Sequence, residues 1–252
     1  MARWLTLLLA LSLPLAAGAD AVDAPSAPTL TLTVGVDNAP PYRIIGPNRK
    51  SGLYLDIFQE IADRLGWQLR YREAPFRRVL RMAEQGEVDV MLGPLRTPDR
   101  EQKLVFVAPA FPPERRLFFY LDDRNRITRY SDLYGKRIGV LDGAHYFHRF
   151  DQDGELVKES AARYRNLMLM MEKQRVDVVI APELVGRYTV QNLGLDVHVS
   201  PFFFPGEASW IAVAKGSPAV AYVDDIRAAL KLLEMNGTRE SLILKYLEPF
   251  KD

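Results

Sequence analysis

Arg100 is the residue in this chain most readily given a chemical task. It closes the stretch Asp89–Arg100, DVMLGPLRTPDR, in which a short apolar run enters a Gly93-Pro94 turn. A strand end that delivers a turn and a fixed cation is a common way to build a small-anion pocket on an α/β scaffold. The plain alternative is a surface arginine paired to Asp99 or Glu101. Gly93 opens the turn and would let backbone approach a ligand closely, or it is simply a turn glycine. His145, His148 and Asp151 fall at i, i+3 and i+6, a spacing that metal ligands can use. The chain has no cysteine and only three histidines, so no metal or other cofactor is expected. Asp151-Gln152-Asp153-Gly154 is too short for a calcium loop and reads as a turn. No nucleophile elbow, phosphate loop or zinc signature is present.

These residues need elements to hold them. Thr29–Val36 alternates apolar and polar residues with a period of two, as a half-buried strand does, and runs into Asp37-Asn38-Ala39-Pro40-Pro41-Tyr42. Leu53–Leu65 is an amphipathic helix stopped by Gly66, and Trp67–Tyr71 alternates again. Phe76–Gln85 is a second helix, and Val88–Leu92 a short apolar strand. The order β-α-β-α-β favours a sheet covered by helices, with ligands gathering at the carboxyl ends of strands. The loops 37–42 and 93–100 lie at such ends. The chain then echoes itself: EQGEVDVML at 84–92 resembles EKQRVDVVI at 172–180, and each runs into a proline-containing turn. Asp132–Val140 reads as a turn and a new strand, with a helix expected to start at Ala144-His145. Pro182–Leu193 reads as a helix, Leu195–Val199 as a strand, Phe202–Pro205 as an aromatic link and Trp210–Ala214 as another strand. Ser217 caps a helix with Pro218 at its first position.

Composition limits the function classes. Of 252 residues, 48% are hydrophobic and 26% charged, an ordinary globular composition with enough length for two modest lobes or one large domain. Arg3, the apolar run Leu5–Leu15 and Ala17-Gly18-Ala19 read as a secretory signal peptide over residues 1–19, with a retained anchor as the alternative, so the mature chain is expected in the periplasm. With 33 Lys+Arg against 32 Asp+Glu, nucleic acid is not expected as an electrostatic partner. No later segment is long and apolar enough to span a membrane as a helix.

Ser51–Ile57, Leu65-Gly66, Ala74–Arg78, Gly86–Val90, Gly93–Arg100, Leu133–Val140 and Lys215–Pro218, in that order and spacing, carry a resemblance. The chain resembles the extracellular family 3 of solute-binding proteins, the periplasmic receptors of polar-amino-acid-type ABC importers. The resemblance implies an α/β, two-lobed, periplasmic-binding-protein-like fold of type II, the flytrap. Lobe 1 would be residues 20–117 with 206–252, and lobe 2 residues 118–205. Crossings are expected near Arg116–Leu121 and Phe204–Ser209.

The resemblance also assigns roles. Arg100, in Thr97-Pro98-Asp99-Arg100, would form a bidentate pair with a ligand carboxylate. Tyr42 and Phe76 would flank the ligand, or simply pack in the core. Arg78 would approach it, or lie on a solvated helix face beside Arg77 and Arg81. Asp37 would face the cleft or cap its loop. Leu95 stands where the family carries a hydroxyl. Gly143-Ala144-His145 replaces a hydroxyl-rich segment, leaving helix N–H groups and His145 as donors. The family's ammonium-binding aspartate falls on Pro182, with Glu183 as a substitute or as a favourable first-turn acid. A carboxylate, a modified amino acid or a peptide-like solute is therefore expected rather than a standard amino acid, since a buried ammonium needs a carboxylate. The function implied is small-solute capture for an importer. A ligand sensor and a dehydratase-like enzyme on the same fold are the alternatives.

Overall fold

The computed structural model describes residues 29–247. The expected signal peptide, residues 1–19, lies outside them. From the N-terminus the chain runs β1 (Thr31–Val36), a hairpin of β2 (Ile44–Ile45) and β3 (Lys50–Ser51), α1 (Leu53–Arg64), β4 (Gln68–Glu73), α2 (Phe76–Glu84), β5 (Val90–Leu92), α3 (Pro98–Glu101) and β6 (Leu104–Phe111). It continues as β7 (Arg116–Tyr120), β8 (Arg137–Leu141), α4 (His148–Gln152), β9 (Val157–Ala161), α5 (Tyr164–Glu172), β10 (Val178–Pro182), α6 (Glu183–Leu193) and β11 (His198–Phe204). It returns as β12 (Ser209–Ala214), α7 (Val223–Met235) and α8 (Thr238–Leu247).

Two five-stranded sheets result, ordered β4-β1-β5-β12-β6 and β11-β7-β10-β8-β9. In the first, β1 is parallel to β4 and β5, while β12 is antiparallel to β5 and β6. In the second, β8 is parallel to β9 and β10, while β7 is antiparallel to β10 and β11. The molecule is thus a two-lobed α/β protein. The chain crosses between lobes at 112–115 and again at 205–208. The first crossing comes earlier in the chain than Arg116–Leu121, because Arg116–Tyr120 pairs on both sides as a full strand. The 117/118 division falls inside β7.

Leu32, Val34 and Val36 of β1 and Leu53, Ile57 and Ile61 of α1 are fully buried against one another's lobe core. Burying each such side chain stabilises by about 1.5–3 kcal/mol. The helices α7 and α8 close over the first lobe, where Asp56 receives Tyr246 Oη at 2.6 Å and Lys245 Nζ at 3.0 Å.

The sequence echo is an echo of structure. After α2, Gly86 has φ +74°, its N–H reaches the Ala83 carbonyl at 3.2 Å and the Glu87 N–H reaches Met82 at 2.8 Å. After α5, Gln174 has φ +53°, its N–H reaches Met171 at 3.0 Å and the Arg175 N–H reaches Met170 at 2.8 Å. Both are Schellman closures. Each then delivers an aspartate to the parallel neighbour of the strand that follows, β1 in one lobe and β8 in the other. Asp89 Oδ2 accepts the Thr33 N–H at 2.7 Å, and Asp177 Oδ2 accepts the Arg137 N–H at 2.7 Å. The strands that follow, β5 and β10, are the middle strands of their sheets.

Three local expectations differ from the structure. The segment after β8 is a turn followed by extended chain, and its helix begins at His148 instead of Ala144-His145. Phe202–Phe204 is part of β11, where Phe204 stacks on Phe147 and edges onto Phe118. Pro218–Tyr222, capped by Ser217, is a 3-10 turn that leads into α7.

Candidate functional site

The carboxyl ends of β1, β5, β8 and β10 and the first crossing surround a small cavity between the lobes. The lobes touch across it. Arg77 of α2 pairs with Asp142 at 2.7 Å, and Arg163 lies 3.6 Å from Glu73.

Arg100 lines this cavity and is 3% exposed. The short helix α3 carries it there. Thr97 caps that helix by accepting the Arg100 N–H at 3.4 Å, with Pro98 at its first position. Its guanidinium donates Nη1 to the Leu95 carbonyl at 2.9 Å and Nη2 to the Gly143 carbonyl of the other lobe at 3.1 Å. Its Nε is buried without any hydrogen-bond partner, and among the described residues no carboxylate lies within salt-bridge distance. Burial lowers its pKa to about 10, against weak support from the charges of Glu84 and Asp151. It remains a cation at neutral pH, and its desolvation is offset only in part, by two neutral carbonyls. The Phe76 ring stands 5.8 Å from its Cζ.

Gly93, Leu95, Tyr42, Phe76, Ala144 and His145 line the same cavity. A Cβ on Gly93 would meet Arg43 Nη1 and Tyr54 Cε2 at 2.6 Å, so only glycine fits. Leu95 contributes its backbone carbonyl to Arg100, and its side chain has no donor to give a ligand. Tyr42 stacks on Tyr54 at 4.5 Å, which stacks on Phe111 at 3.6 Å. His145 is at the exposed rim, with Nδ1 3.4 Å from Asp151. Because the α4 helix begins after it, the Ala144-His145 segment offers no helix terminus. Among the described residues no His/Asp/Glu cluster is arranged to hold a metal.

Three expected residues are elsewhere. Asp37 does not line the cavity; it is buried in a bidentate pair with Arg43, at 2.9 and 3.1 Å. Arg43 Nη1 also donates to the Leu92 carbonyl at 3.2 Å. Arg78 is exposed in a separate surface groove with Arg77 and Arg81, on the solvated face of α2. Glu183 faces Arg115 at 2.7 and 2.8 Å and Arg187 at 3.3 Å, outside the cavity.

Sequence reasoning missed Glu114, Arg116, Tyr54, Tyr146, Tyr164 and Ser209. Glu114 lies in the first crossing and is the one acidic side chain lining the cavity among the described residues. Its carboxylate accepts the Leu184 N–H and the Tyr42 hydroxyl. Burial raises its pKa to about 7, against the opposing field of Arg116. The signal for it was an acid set in a proline-rich inter-lobe connector. Gly206 of the second crossing packs directly on the Glu114 backbone, where a Cβ would fall 1.8 Å from its carbonyl oxygen.

Two sheet lobes closed on a small charged cavity are the architecture of a solute receptor. Residues 32–249 match the family of bacterial extracellular solute-binding proteins, family 3, and the chain belongs to that family. It is 24% identical over 201 residues to the L-cystine-binding protein TcyA of Bacillus subtilis, covering 79% of this chain and 73% of that one. It is 24% identical over 157 residues to a probable histidine-binding protein of Campylobacter jejuni, covering 62% of this chain and 61% of that one. An ancestral arginine-binding protein bound to arginine superposes with a TM-score of 0.75 at 25% identity, over 86% of this chain and 97% of that one. A mutant of ArgBP from T. maritima gives 0.74 at 24% identity, over 86% of this chain and 95% of that one. No helix of the described residues is long and apolar enough to cross a membrane.

Proposed function

We propose that this chain is a periplasmic receptor that encloses a small carboxylate-bearing, amino-acid-like solute between its lobes and presents it to an ABC importer. The observation that carries this reading is Arg100, a buried guanidinium in the cavity with no acidic partner and an unpartnered Nε. A planar fork of N–H donors is the complement of a carboxylate, and an anion there would offset desolvation that two neutral carbonyls offset only in part. Closure would follow from a ligand that touches both lobes at once and so favours the closed state.

The test is a thermal-shift and calorimetry screen of the mature chain against L-amino acids, organic acids and short peptides. A ligand at 100 times its Kd raises stability by about 2.7 kcal/mol. Carboxylates that stabilise wild type but not Arg100→Met support the reading. Binding that survives in Arg100→Met, or a preference for cationic ligands without a carboxylate, overturns it.

A further inference from the structure

Among the described residues, three charged side chains of the cavity wall have no salt-bridge partner: Arg100, Arg116 and Glu114. Glu114 is the one acid of the three, and its carboxylate is held by two neutral donors, the Leu184 N–H and the Tyr42 hydroxyl. No cation lies within 4.0 Å of it among the described residues. Arg116, the cation whose field acts on this carboxylate, donates Nη1 to the Glu114 backbone carbonyl at 2.8 Å. A carboxylate has about four acceptor sites, so two donors leave acceptor capacity open. The other acids near the cleft are committed. Asp37 is held by Arg43, Asp142 by Arg77, and Glu183 by Arg115 and Arg187.

We propose that Glu114 is the specificity-determining acid of this receptor, accepting the ammonium group of a ligand whose carboxylate lies on Arg100. The inference rests on the Arg100 reading and deepens it by naming the ligand class: a zwitterion with an amino and a carboxyl group, the pattern of a free amino acid. Pro182, on the cavity wall at the end of β10, cannot accept a charge through its side chain. The carboxylate that can do so comes from the crossing segment instead. This restores a free α-amino acid to the ligand class, against the expectation drawn from Pro182 alone.

A second consequence follows from the surroundings of Glu114. Facing it are Tyr42 from the loop after β1, Tyr54 from α1, Arg116 from β7, and Glu183 with the Leu184 N–H from α6. Burial dominates this balance and raises the Glu114 carboxyl to about 7. An ammonium group binds the ionised form, so the amino acid binds more tightly as pH rises from 6 to 8 and releases a proton on binding at the lower pH. Over that interval the ionised fraction grows about tenfold, and affinity grows with it. A ligand with the carboxylate but no ammonium gains nothing from that ionisation and binds no better at pH 8.

The experiment measures binding of the twenty L-amino acids and of their 2-hydroxy-acid counterparts to the full mature chain by calorimetry at pH 6 and pH 8. Wild type, Glu114→Gln and Arg100→Met are compared. The expected result is an amino acid preferred over its hydroxy acid by at least tenfold at pH 8 and by less at pH 6. In Glu114→Gln that preference falls to within a few-fold while the hydroxy acid still binds. Wild-type pH dependence needs no variant, so it stands even if Glu114→Gln folds poorly. Equal binding of amino and hydroxy acid in wild type, an undiminished preference in Glu114→Gln, or no amino-acid binding at all overturns the Glu114 assignment. Hydroxy-acid binding that persists in Arg100→Met overturns the Arg100 reading beneath it.

Discussion

The guanidinium of Arg100, in lobe 1, donates Nη2 to the backbone carbonyl of Gly143, in lobe 2, at 3.1 Å. One side chain therefore belongs to the cavity wall and to the seam between the lobes. A neutral carbonyl offsets part of the desolvation of a buried cation, and a carboxylate would offset more.

Arg100→Met should accordingly separate stability from binding. Removing a buried charge that has no acidic partner in favour of an apolar side chain of similar length is often neutral or stabilising. The ligand-free variant is expected to melt at or above the wild-type temperature by calorimetry, while carboxylate affinity falls at least 100-fold. A large loss of ligand-free stability would mean that the Leu95 and Gly143 bonds outweigh the desolvation.

The Asp37–Arg43 pair should behave in the opposite way. Both side chains are buried, with side-chain exposure of 8% each. Asp37→Ala leaves Arg43 buried without its counter-charge, and a loss of about 3–5 kcal/mol is expected in urea denaturation. The double substitution Asp37→Leu with Arg43→Met should recover most of it. Failure to recover would show that the pair supplies more than mutual neutralisation.

The pH dependence of ligand-free stability carries a definite sign. Glu114 has a folded pKa near 7, raised by burial above the ordinary carboxylate value. Between about pH 5 and 7 the folded protein therefore holds a proton that the unfolded chain has released. Where the native state binds more protons, stability falls as pH rises. Tm of the empty protein should decline from pH 5.5 to 8, and Glu114→Gln should reduce that decline. Asp132, Asp153 and Asp177 are lowered by hydrogen bonds to their neighbours, so their contribution is lost only on further acidification, below the ordinary carboxylate range.

Gln174 offers a gain. It holds a left-handed conformation, φ +53°, at the position that Gly86 fills in the other lobe. A non-glycine residue in that region is strained by about 1–2 kcal/mol, partly regained on replacement because glycine has more freedom in the unfolded chain. Gln174→Gly is expected to stabilise by roughly 0.5–1 kcal/mol in urea unfolding. No gain would indicate that the Gln174 side chain supplies a compensating contact.

The elements around Arg100 could be read from sequence because each has a local cause. β1 has its period-two pattern, α1 and α2 have glycine stops, and Thr97-Pro98 starts α3. The family and the two-lobed fold were legible in the order of these pieces. The charge layout of the cavity was not. Asp37 and Arg43 find each other across a loop, and Glu183 finds Arg115 from the other crossing side of the cleft, through tertiary geometry that spacing does not encode. Ala144-His145 lacks a helix because the chain makes a turn at Asp142-Gly143 and stays extended before α4. Glu114 went unnoticed because a proline-flanked acid in a connector looks like solvent-facing chain until the connector is folded against a cavity.

Gly206 against the Glu114 backbone gives the two crossing segments a shared bearing point. Points near a fulcrum travel least when the arms around it swing. A carboxylate carried there would keep nearly the same address whether the receptor is open or shut, so a ligand could be recognised by charge before it is enclosed. The Gly143 carbonyl, carried on the opposite arm, would be met only at the end of the swing. Sorting and locking would then fall to different residues, in sequence, with Arg100 taking part in both.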